Sequence, residues 1–393
     1  MKRVLVIFGT RPEAIKMAPV VRALQQYPDR FTVRTCATAQ HREMLDQVLD
    51  VFGISPDIDL DLMQPDQSLS GLAAKVLATL DSVLLMEKPD WVLVQGDTTT
   101  VMAAALAAQH RQVQVGHVEA GLRTYDRRNP FPEEMNRVVA DHISDLCFAP
   151  TETARENLLR EGIDETRIIV TGNTVLDALL TIARQPWTPK DNDPLAAIPA
   201  DRVWLLVTAH RRENFGVPLN DICKALRRIA DERGGHCQII YPVHRNPNVW
   251  LPVHAMLSGH PAITLLPPVD YRSLVYLMQH CRLILTDSGG LQEEAPTLNK
   301  PVLVMRTTTE RPEAVTAGAA QLVGTQPKNI IREVYRLLDD EVAYQKMALA
   351  QNPYGDGRAA ERIVQALLQA TENVADAIDR RFVALVEGVS GKR

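Results

Sequence analysis

The sequence predicts an α/β protein with two domains, each built on a parallel sheet, and three observations support this prediction. Short runs of β-branched and aliphatic residues alternate with segments of helical periodicity, which is typical of parallel strands joined by helices. This alternation breaks at 185–202, where prolines and charges lie without periodicity, so we interpret that stretch as a linker. The chain of 393 residues is also too long for one ordinary core.

The individual elements follow from the same alternation. In the first half, strands are predicted at 3–9, 31–38, 91–96 and 113–121, and helical spacing occurs at 19–26 and 69–86. In the second half, strands are predicted at 203–210, 237–244, 262–266, 281–290 and 301–305. We therefore expect domains at 1–184 and 203–358. A final helical segment at 359–393 can pack on the N-terminal domain or on a second subunit.

Composition narrows the class of protein. Apolar residues make up 46% and charged residues 23% of the chain, with a net charge of −5, so no basic surface is available for nucleic acid or an anionic membrane. No run approaches the ~20 apolar residues of a membrane span. The N-terminal apolar run stops at Gly9, as a first core strand does. The five cysteines are scattered without a C-x-x-C pair, which favours reduced thiols and a cytoplasmic location.

Polar side chains collect where the predicted strands end, which is the edge where ligands of parallel sheets bind. Taken singly, each has an ordinary explanation as a helix cap, a first-turn acid or a solvated cation. So many in one chain instead predict a binding surface with cations for phosphate and with carboxylates or histidine for acid–base work. The candidates are Arg11, Lys16, Asp97, His117, Glu119, Arg123, Glu133, Glu134, His210, Arg211, Arg212, Glu213, His244, Arg306, Glu310, Arg311 and Glu313.

The segment LTDSGGLQEEAP at 285–296 has the pattern of a strand, a glycine turn and a helix start, which is typical of a phosphate site. Glu294 follows the glycines by about one helical turn, at a distance suited to ribose hydroxyls, whereas Glu293 has no assigned role. Walker, dinucleotide, nucleophile-elbow and zinc-protease motifs are all absent from the sequence, and the histidines show no metal-ligand spacing. The residues alone therefore predict a sugar-nucleotide cleft.

Ordered motifs from about residue 2 to 368 resemble the non-hydrolysing UDP-N-acetylglucosamine 2-epimerases. Among them are FGTRPEAIKMAP, QGDTTT, GHVEAGLR, PEEMNR, TAHRREN, LTDSGGLQEEAP and TTERPEAV. The resemblance implies a GT-B-like fold, in which two Rossmann-like domains face a central cleft that binds UDP. It further implies reversible conversion of UDP-GlcNAc to UDP-ManNAc, by elimination of UDP to 2-acetamidoglucal and re-addition. Neither NAD nor an essential metal is implied.

The resemblance also implies site residues. Asp97, Glu119, Glu133 and His210 match the catalytic positions, with the carboxylates moving the proton at C2 and His210 acting as imidazolium at the diphosphate. The substrate-binding positions are Arg11, Lys16, Ser288, Gly289, Gly290, Glu294 and Arg311. A second UDP-GlcNAc acts as an allosteric activator in some relatives, and the matching positions are Gln40, Glu43, Glu134, Arg211 and His244. An arginine of that second site is replaced in this chain, near Asp66, which argues against full allosteric dependence.

The resemblance also implies a homodimer that supplies ManNAc units for cell-surface polysaccharide. Three alternatives remain at this stage. A hydrolysing epimerase would release free ManNAc and UDP, and a GT-B glycosyltransferase would require an acceptor. A non-catalytic UDP-sugar sensor would not need the acid–base set that the sequence carries.

Overall fold

The structure is a computed structural model, which describes residues 1–38, 42–62 and 67–370, without the side chains of 42–44, 46 and 47. The described chain forms two compact units. The first unit comprises Met1–Ala178 and the described residues from Gly357 onward, and the second comprises Leu179–Asp356. Residues 185–202, which the sequence suggested as a linker, lie in the second unit.

The first unit contains a seven-stranded sheet in the order β3-β2-β1-β4-β5-β6-β7, and all neighbouring strands are parallel. Its strands are β1 Lys2–Phe8, β2 Phe31–Ala37, β3 Ile58–Asp59, β4 Trp91–Gln95, β5 Gln114–Val118, β6 Leu146–Ala149 and β7 Ile168–Val170. Its helices are α1 Arg11–Gln25, α2 Arg42–Phe52, α3 Leu69–Glu87, α4 Thr99–His110, α5 Glu133–Ile143, α6 Glu152–Arg160 and α7 Thr174–Ala183, the last of which continues into the second unit.

The second unit contains a six-stranded parallel sheet in the order β10-β9-β8-β11-β12-β13. Its strands are β8 Val203–Thr208, β9 Cys237–Pro242, β10 Ile263–Leu266, β11 Cys281–Thr286, β12 Val302–Val304 and β13 Ala320–Leu322. Its helices are α8 Val217–Arg233, α9 Pro247–Leu257, α10 Tyr271–His280, α11 Gly289–Glu294, α12 Pro312–Thr316, α13 Pro327–Asp339 and α14 Glu341–Ala348. The prediction of two Rossmann-like α/β domains is confirmed.

The burial of the strands explains why short apolar runs alternate with helical segments in the sequence. The central strands β4 and β11 are buried along almost their whole length, because helices cover both faces of a parallel sheet. Strand β1 leads directly into α1, which begins with a capping box between Thr10 and Glu13 and has Pro12 in its first turn. All five cysteines are free and buried.

Helix α3 differs from the expectation that no segment approaches the apolar length of a membrane span. By length and composition it could cross a membrane, with a hydropathy of 1.6 over its most apolar stretch. One face, including Leu72, Val76 and Leu80, packs into the core cluster shared with α4. Asp81 on the same helix forms an ion pair with Arg111. Packing within the first unit therefore accounts for part of its apolar character.

The chain returns to the first unit near its end. Residues 359–370 are helical, and the amides of Ala359 and Ala360 donate to the carboxylate of Asp177 at 3.1 and 2.9 Å. A carboxylate accepting from the first amides of a helix stabilises that end of the helix. The remainder of the predicted C-terminal segment, 371–393, lies outside the described residues.

Candidate functional site

Each sheet has one point where the strand order reverses, between β1 and β4 in the first unit and between β8 and β11 in the second. Helices leave neighbouring strands in opposite directions at such a point, which opens a crevice at the carboxyl ends of the strands. The predicted residues follow these strands directly: Arg11 follows β1, Asp97 follows β4, His210 follows β8, and Ser288 follows β11.

Glu119 follows β5 and is buried, with a left-handed backbone (φ +67°). That conformation costs about 1–3 kcal/mol for a residue other than glycine, so surrounding contacts must hold it in place. Its carboxylate accepts from both Lys16 Nζ (2.7 and 2.6 Å) and Asn173 Nδ2 (3.3 Å), and also from Gln95. The structure thus pairs a predicted catalytic carboxylate with a predicted substrate-binding cation.

Asp97 lies in the turn after β4, next to Gly96, whose positive φ of 89° suits glycine. Arg137 Nη2 donates to Asp97 Oδ2 at 2.5 Å, and Asn136 Nδ2 donates to the Asp97 carbonyl at 2.8 Å. Both partners lie on α5. The helix therefore fixes both the backbone and the side chain of Asp97.

Glu133 and Glu134 open α5 but have different surroundings. Glu134 is buried and accepts from the amides of Thr124 and Tyr125 at 2.8–3.2 Å, so it holds the preceding loop. Glu133 Oε2 is also buried, yet it has no hydrogen-bond partner among the described residues. This oxygen therefore keeps the capacity to accept a hydrogen bond or a proton.

Arg11 is the first residue of α1 and is half-buried. Beside it lies Glu13, which sequence reasoning did not select. Glu13 accepts from the amides of Gly9 (2.6 Å) and Thr10 (3.1 Å) and from Thr98 Oγ1 (2.8 Å). Burial raises its pKa, although these hydrogen bonds oppose the shift. Glu13 therefore ties the turn after β1 to the start of α4.

His117 and Arg123 were candidates for the binding surface, but their side chains are fully buried. Both contact Asp141 on α5, at 2.6 Å from His117 Nδ1 and 2.7 Å from Arg123 Nη2. The prediction that His117 and Arg123 belong to the binding surface was wrong, because both side chains lie in the core beneath the site.

In the second unit, Asp287 organises the loop that follows β8. Its Oδ2 accepts from the amides of His210 and Arg211, each at 2.9 Å, and from Asn214 Nδ2 at 3.0 Å. Its Oδ1 is buried and has no hydrogen-bond partner among the described residues, and it lies 3.7 Å from His210 Nδ1. A small ring movement would bring this pair into hydrogen-bond distance.

The His210 side chain is 39% exposed and stacks on His244, with ring centroids 5.6 Å apart. Partial burial lowers the pKa of His210, Asp287 opposes this shift, and the charges of His244 and Arg211 reinforce it. The lowered pKa favours the neutral ring at neutral pH. The imidazolium expected from the sequence requires a further negative charge beside the ring.

The glycine turn Ser288–Gly290 follows β11 at the switch point and contains the N-cap and the first two residues of α11. The Ser288 amide donates to Thr286 Oγ1 (2.9 Å), and Thr286 shares a hydrogen bond with Thr208 on β8 (2.6 Å). The Ser288 side chain forms no capping hydrogen bond with α11. Neighbouring strands therefore hold the backbone of the turn, while the hydroxyl is not used to cap the helix.

Charged side chains from two segments, the loop after β8 and the loop before α12, approach Gly289. A Cβ atom at this position would lie 3.4 Å from Arg211 Nη2 and 3.9 Å from Arg311 Cζ, with Glu310 Oε1 at 3.6 Å. Glu310 accepts from Arg211 (3.1 Å) and from Arg306 (2.6 Å). Burial alone would raise the pKa of Glu310, but the charges of these arginines lower it to about 2. The turn thus lies beside cations that a carboxylate holds in place.

The two glutamates after the glycine turn have separate partners. Glu293 is buried and forms an ion pair with Arg311, so it positions a cation of the same cluster. Glu294 accepts from the Tyr271 hydroxyl at 2.8 Å, and one of its oxygens would lie 3.5 Å from a Cβ at Gly290. Neither carboxylate conflicts with an anion site, because one is paired with an arginine and the other lies farther along the helix.

The positions predicted for a second ligand are only partly described. Gln40, Asp66 and the side chain of Glu43 lie outside the described residues. Arg211 and His244 flank His210 in the second unit, and Glu134 belongs to the first unit. The structure therefore does not test this site.

Several residues at the site were not selected from the sequence. Glu13 could have been found from the capping-box spacing T-x-x-E, and Asp287 from its place between a strand and a glycine turn. Asn173 and Tyr271 carry no such signal, because their partners, Glu119 and Glu294, are distant in sequence.

The chain is similar to known proteins in both sequence and fold. The family model for UDP-N-acetylglucosamine 2-epimerase matches residues 22–368. A curated UDP-N-acetylglucosamine 2-epimerase from Escherichia coli K12 is 55% identical over 370 residues, covering 93% of this chain and 98% of the relative. A solved structure of a protein described as a UDP-N-acetylglucosamine 2-epimerase from Listeria monocytogenes has a TM-score of 0.88 at 47% identity, covering 94% of this chain and 97% of that one.

A second solved structure, the UDP-GlcNAc 2-epimerase of Neisseria meningitidis bound to UDP-GlcNAc, has a TM-score of 0.85 at 46% identity. It covers 93% of this chain and all of that one (100%). Both the sequence match and the structural match extend over both units. The chain belongs to the UDP-N-acetylglucosamine 2-epimerase family.

Proposed function

We propose that this chain is a non-hydrolysing epimerase that interconverts UDP-GlcNAc and UDP-ManNAc at C2. The observation that carries the proposal is the set of three carboxylates beyond β4 and β5 and at the start of α5. Asp97 is paired with Arg137, Glu119 is paired with Lys16, and Glu133 has an oxygen without a partner among the described residues. Such a set provides groups to accept one proton and to donate another.

In the proposed reaction, a carboxylate removes the proton from C2 of the sugar. The electron pair of the C2–H bond forms the C1=C2 double bond of 2-acetamidoglucal, and the C1–O bond breaks as UDP leaves with its electrons. In the second step UDP oxygen adds back to C1, and a proton is delivered to the opposite face of C2. We assign both proton transfers to Asp97, Glu119 and Glu133 as a set.

The second unit supplies leaving-group stabilisation in this proposal. The turn Ser288–Gly290 and the neighbouring Arg211 and Arg311 would contact the diphosphate, whose charge increases as the C1–O bond breaks. Glu294, oriented by Tyr271, would accept hydrogen bonds from the ribose hydroxyls. Support comes from the Neisseria meningitidis relative, whose solved structure has UDP-GlcNAc bound.

His210 changes its protonation state with binding in this account. Partial burial lowers its pKa. A diphosphate beside the ring would raise the pKa again, because an anion stabilises the imidazolium. His210 would then donate a proton or a charged hydrogen bond to the departing UDP, while Asp287 lies 3.7 Å from its other nitrogen.

A product analysis tests the proposal against its alternatives. The full chain is incubated with UDP-GlcNAc alone, and the sugars are followed by NMR. We expect an equilibrium mixture of UDP-GlcNAc and UDP-ManNAc with no net release of UDP. Irreversible formation of free ManNAc and UDP would identify a hydrolysing epimerase instead. Turnover only after addition of an acceptor would identify a glycosyltransferase, and binding without turnover in either case would identify a sensor.

The remaining expectations belong to the same proposal. We propose a cytoplasmic homodimer that supplies ManNAc units for cell-surface polysaccharide, and sedimentation analysis of the full chain tests the dimer.

We also propose that a second UDP-GlcNAc contacts Gln40, Glu43, Glu134, Arg211 and His244 as an activator without being strictly required. Turnover of UDP-ManNAc alone should then show a measurable initial rate that rises when a trace of UDP-GlcNAc is added. A rate unchanged by that addition would remove the activator from the account.

A further inference from the structure

His117 lies on β5, between β4 and β6, and its side chain is fully buried. Its two ring nitrogens face two different acceptors. Nδ1 lies 2.6 Å from Asp141 Oδ1, and Nε2 lies 2.7 Å from the carbonyl oxygen of Gly96. A carbonyl oxygen can only accept a hydrogen bond, so Nε2 must carry a proton.

The second contact fixes the other proton. Asp141 Oδ2 already accepts from Arg123 Nη2 (2.7 Å) and from the amide of Gly121 (3.1 Å), which favours the ionised carboxylate. Nδ1 therefore also donates, and the ring is an imidazolium. Burial alone would lower the pKa of His117, but Asp141 and the Gly96 carbonyl raise it overall, in agreement with the geometry.

The charges around the ring are balanced within the first unit. Arg123 also donates to both oxygens of Glu161, at 2.7 Å each. The cluster thus contains two cations, His117 and Arg123, and two carboxylates, Asp141 and Glu161. Because buried charges are maintained only with such pairing, the imidazolium is a permanent part of the fold.

The ring and its two partners lie on the three elements that carry the carboxylates of the proposed acid–base set. Gly96 directly precedes Asp97 in the turn after β4. His117 itself lies two residues before Glu119. Asp141 lies on α5, about two helical turns after Glu133. One ring therefore connects the three elements that carry the set.

We propose that His117 is a positioning residue, whose charged ring holds the turn at Asp97, the end of β5 at Glu119, and helix α5 with Glu133 in one fixed arrangement. This inference rests on the proposed function for its catalytic consequence. Its structural content, the doubly protonated ring and the coupling of three elements, does not depend on that function.

Two substitutions test the catalytic consequence. In His117→Asn the shorter amide can donate to Asp141 but does not reach the Gly96 carbonyl, whereas His117→Gln extends toward Gly96. We expect either variant to lower kcat about 10- to 100-fold, because small displacements of reacting groups have effects of that size. UDP affinity, which the proposal assigns to the second unit, should change less than about twofold. The matched control is His142→Gln, since His142 is an exposed histidine on the same helix α5.

A measurement on the unaltered full chain covers the case in which the variants do not fold. Nitrogen NMR of the histidine rings should show both nitrogens of His117 protonated at pH 7 and pH 8. A His117 ring with one unprotonated nitrogen would overturn the inference. The inference would also be overturned if the His117→Asn and His117→Gln proteins fold and keep wild-type kcat. The same holds if kcat falls only in proportion to the fraction of protein that is folded.

Amide NMR separates this inference from the proposed function. In folded His117→Asn, the amide signals of Asp97, Glu119 and Glu133 should all shift, whereas His142→Gln should leave them in place. If these shifts occur but the wild-type chain does not epimerise UDP-GlcNAc, the positioning role stands and the proposed function fails. If epimerisation is found but only one of the three amides shifts, the proposed function stands and the positioning role fails.

Discussion

The two units use carboxylates at their strand ends in different ways. In the second unit, Glu293 and Glu310 hold arginines, and Asp287 holds the backbone of the loop after β8. In the first unit, Asp97 is paired with Arg137 and Glu119 with Lys16, and Glu133 has an oxygen without a partner among the described residues.

We use this difference to separate supporting acids, which hold other groups in place, from reacting acids, which exchange a proton with the substrate. The residue type and the place in the fold are the same in both units, so neither distinguishes the two roles. Some of the partners do: Glu293 and Glu310 hold arginines beside the glycine turn and so keep an anion site in shape, whereas Glu133 has an oxygen without a partner among the described residues and so can exchange a proton. This difference agrees with the proposal that the first unit carries the proton chemistry and the second unit binds the diphosphate.

The largest effects should come from the first-unit acids and from His210. We expect Asp97→Asn, Glu133→Gln and His210→Ala each to lower turnover of UDP-GlcNAc by about 10²- to 10⁴-fold, because each change removes a group that moves or stabilises a proton. NMR assays of the folded variants measure this. Glu152→Gln, a change at an exposed glutamate in the first turn of α6, is the control. Near-normal turnover in the Asp97 and His210 variants would show that the site assignment is wrong.

A smaller loss of activity should follow from Asp287→Asn. The carboxylate of Asp287 only accepts hydrogen bonds, whereas the amide of asparagine also donates. Its N–H group would face either the main-chain donors of the loop or His210 Nδ1. We expect kcat to fall about 10- to 100-fold with UDP affinity nearly unchanged, since reacting groups are displaced rather than removed. Steady-state kinetics and UDP calorimetry measure the two quantities. A loss of UDP affinity without a loss of kcat would contradict the role given to Asp287.

A supporting acid should affect binding more than chemistry. Glu293→Gln removes the charge that holds Arg311, and a charge-assisted hydrogen bond of this kind is worth about 1.5–3 kcal/mol. We expect UDP affinity to fall about tenfold or more, with kcat at saturating substrate changed much less. Calorimetry with UDP measures the loss, and Glu341→Gln, at an exposed acid of the same unit, is the comparison. A change in kcat alone would place Glu293 among the reacting acids.

The smallest effect concerns stability. The pKa of Glu310 in the folded state is lowered from its ordinary value of 4.5 to about 2. A lowered folded-state pKa stabilises the protein above the ordinary value, and this contribution is lost as pH falls from about 4.5 toward about 2. Urea unfolding should therefore show wild type more stable than Glu310→Gln at pH 6, with the difference shrinking toward pH 3. A difference that grows on acidification would contradict the pairing with Arg211 and Arg306.

The fold was largely predictable, because long parallel strands and their helices leave a strong periodic pattern. The strands that the sequence did not reveal are Ile58–Asp59, Leu146–Ala149, Ile168–Val170 and Ala320–Leu322. None has more than four residues, so each contributes few positions to a pattern. Strands β10 and β12 are as short but were predicted, because the apolar stretches at 262–266 and 301–305 extend beyond them. Three of them, β3, β7 and β13, lie at sheet edges.

The site was predictable in its residue types but not in its pairings. Strand ends identified Asp97, Glu119 and His210, since topology alone brings such positions together. The sequence did not reveal that Lys16 pairs with Glu119 or that Glu293 pairs with Arg311. Those contacts depend on how side chains pack across elements distant in the chain, which no local pattern records.

In the proposed reaction, the first-unit carboxylates exchange the C2 proton of the sugar with solvent. This exchange is tested most directly by incubating the full chain with UDP-GlcNAc in deuterated water and examining C2 by NMR. We predict UDP-ManNAc carrying deuterium at C2, followed by labelled UDP-GlcNAc as the equilibrium is reached. Formation of UDP-ManNAc that retains the original C2 hydrogen would contradict the account.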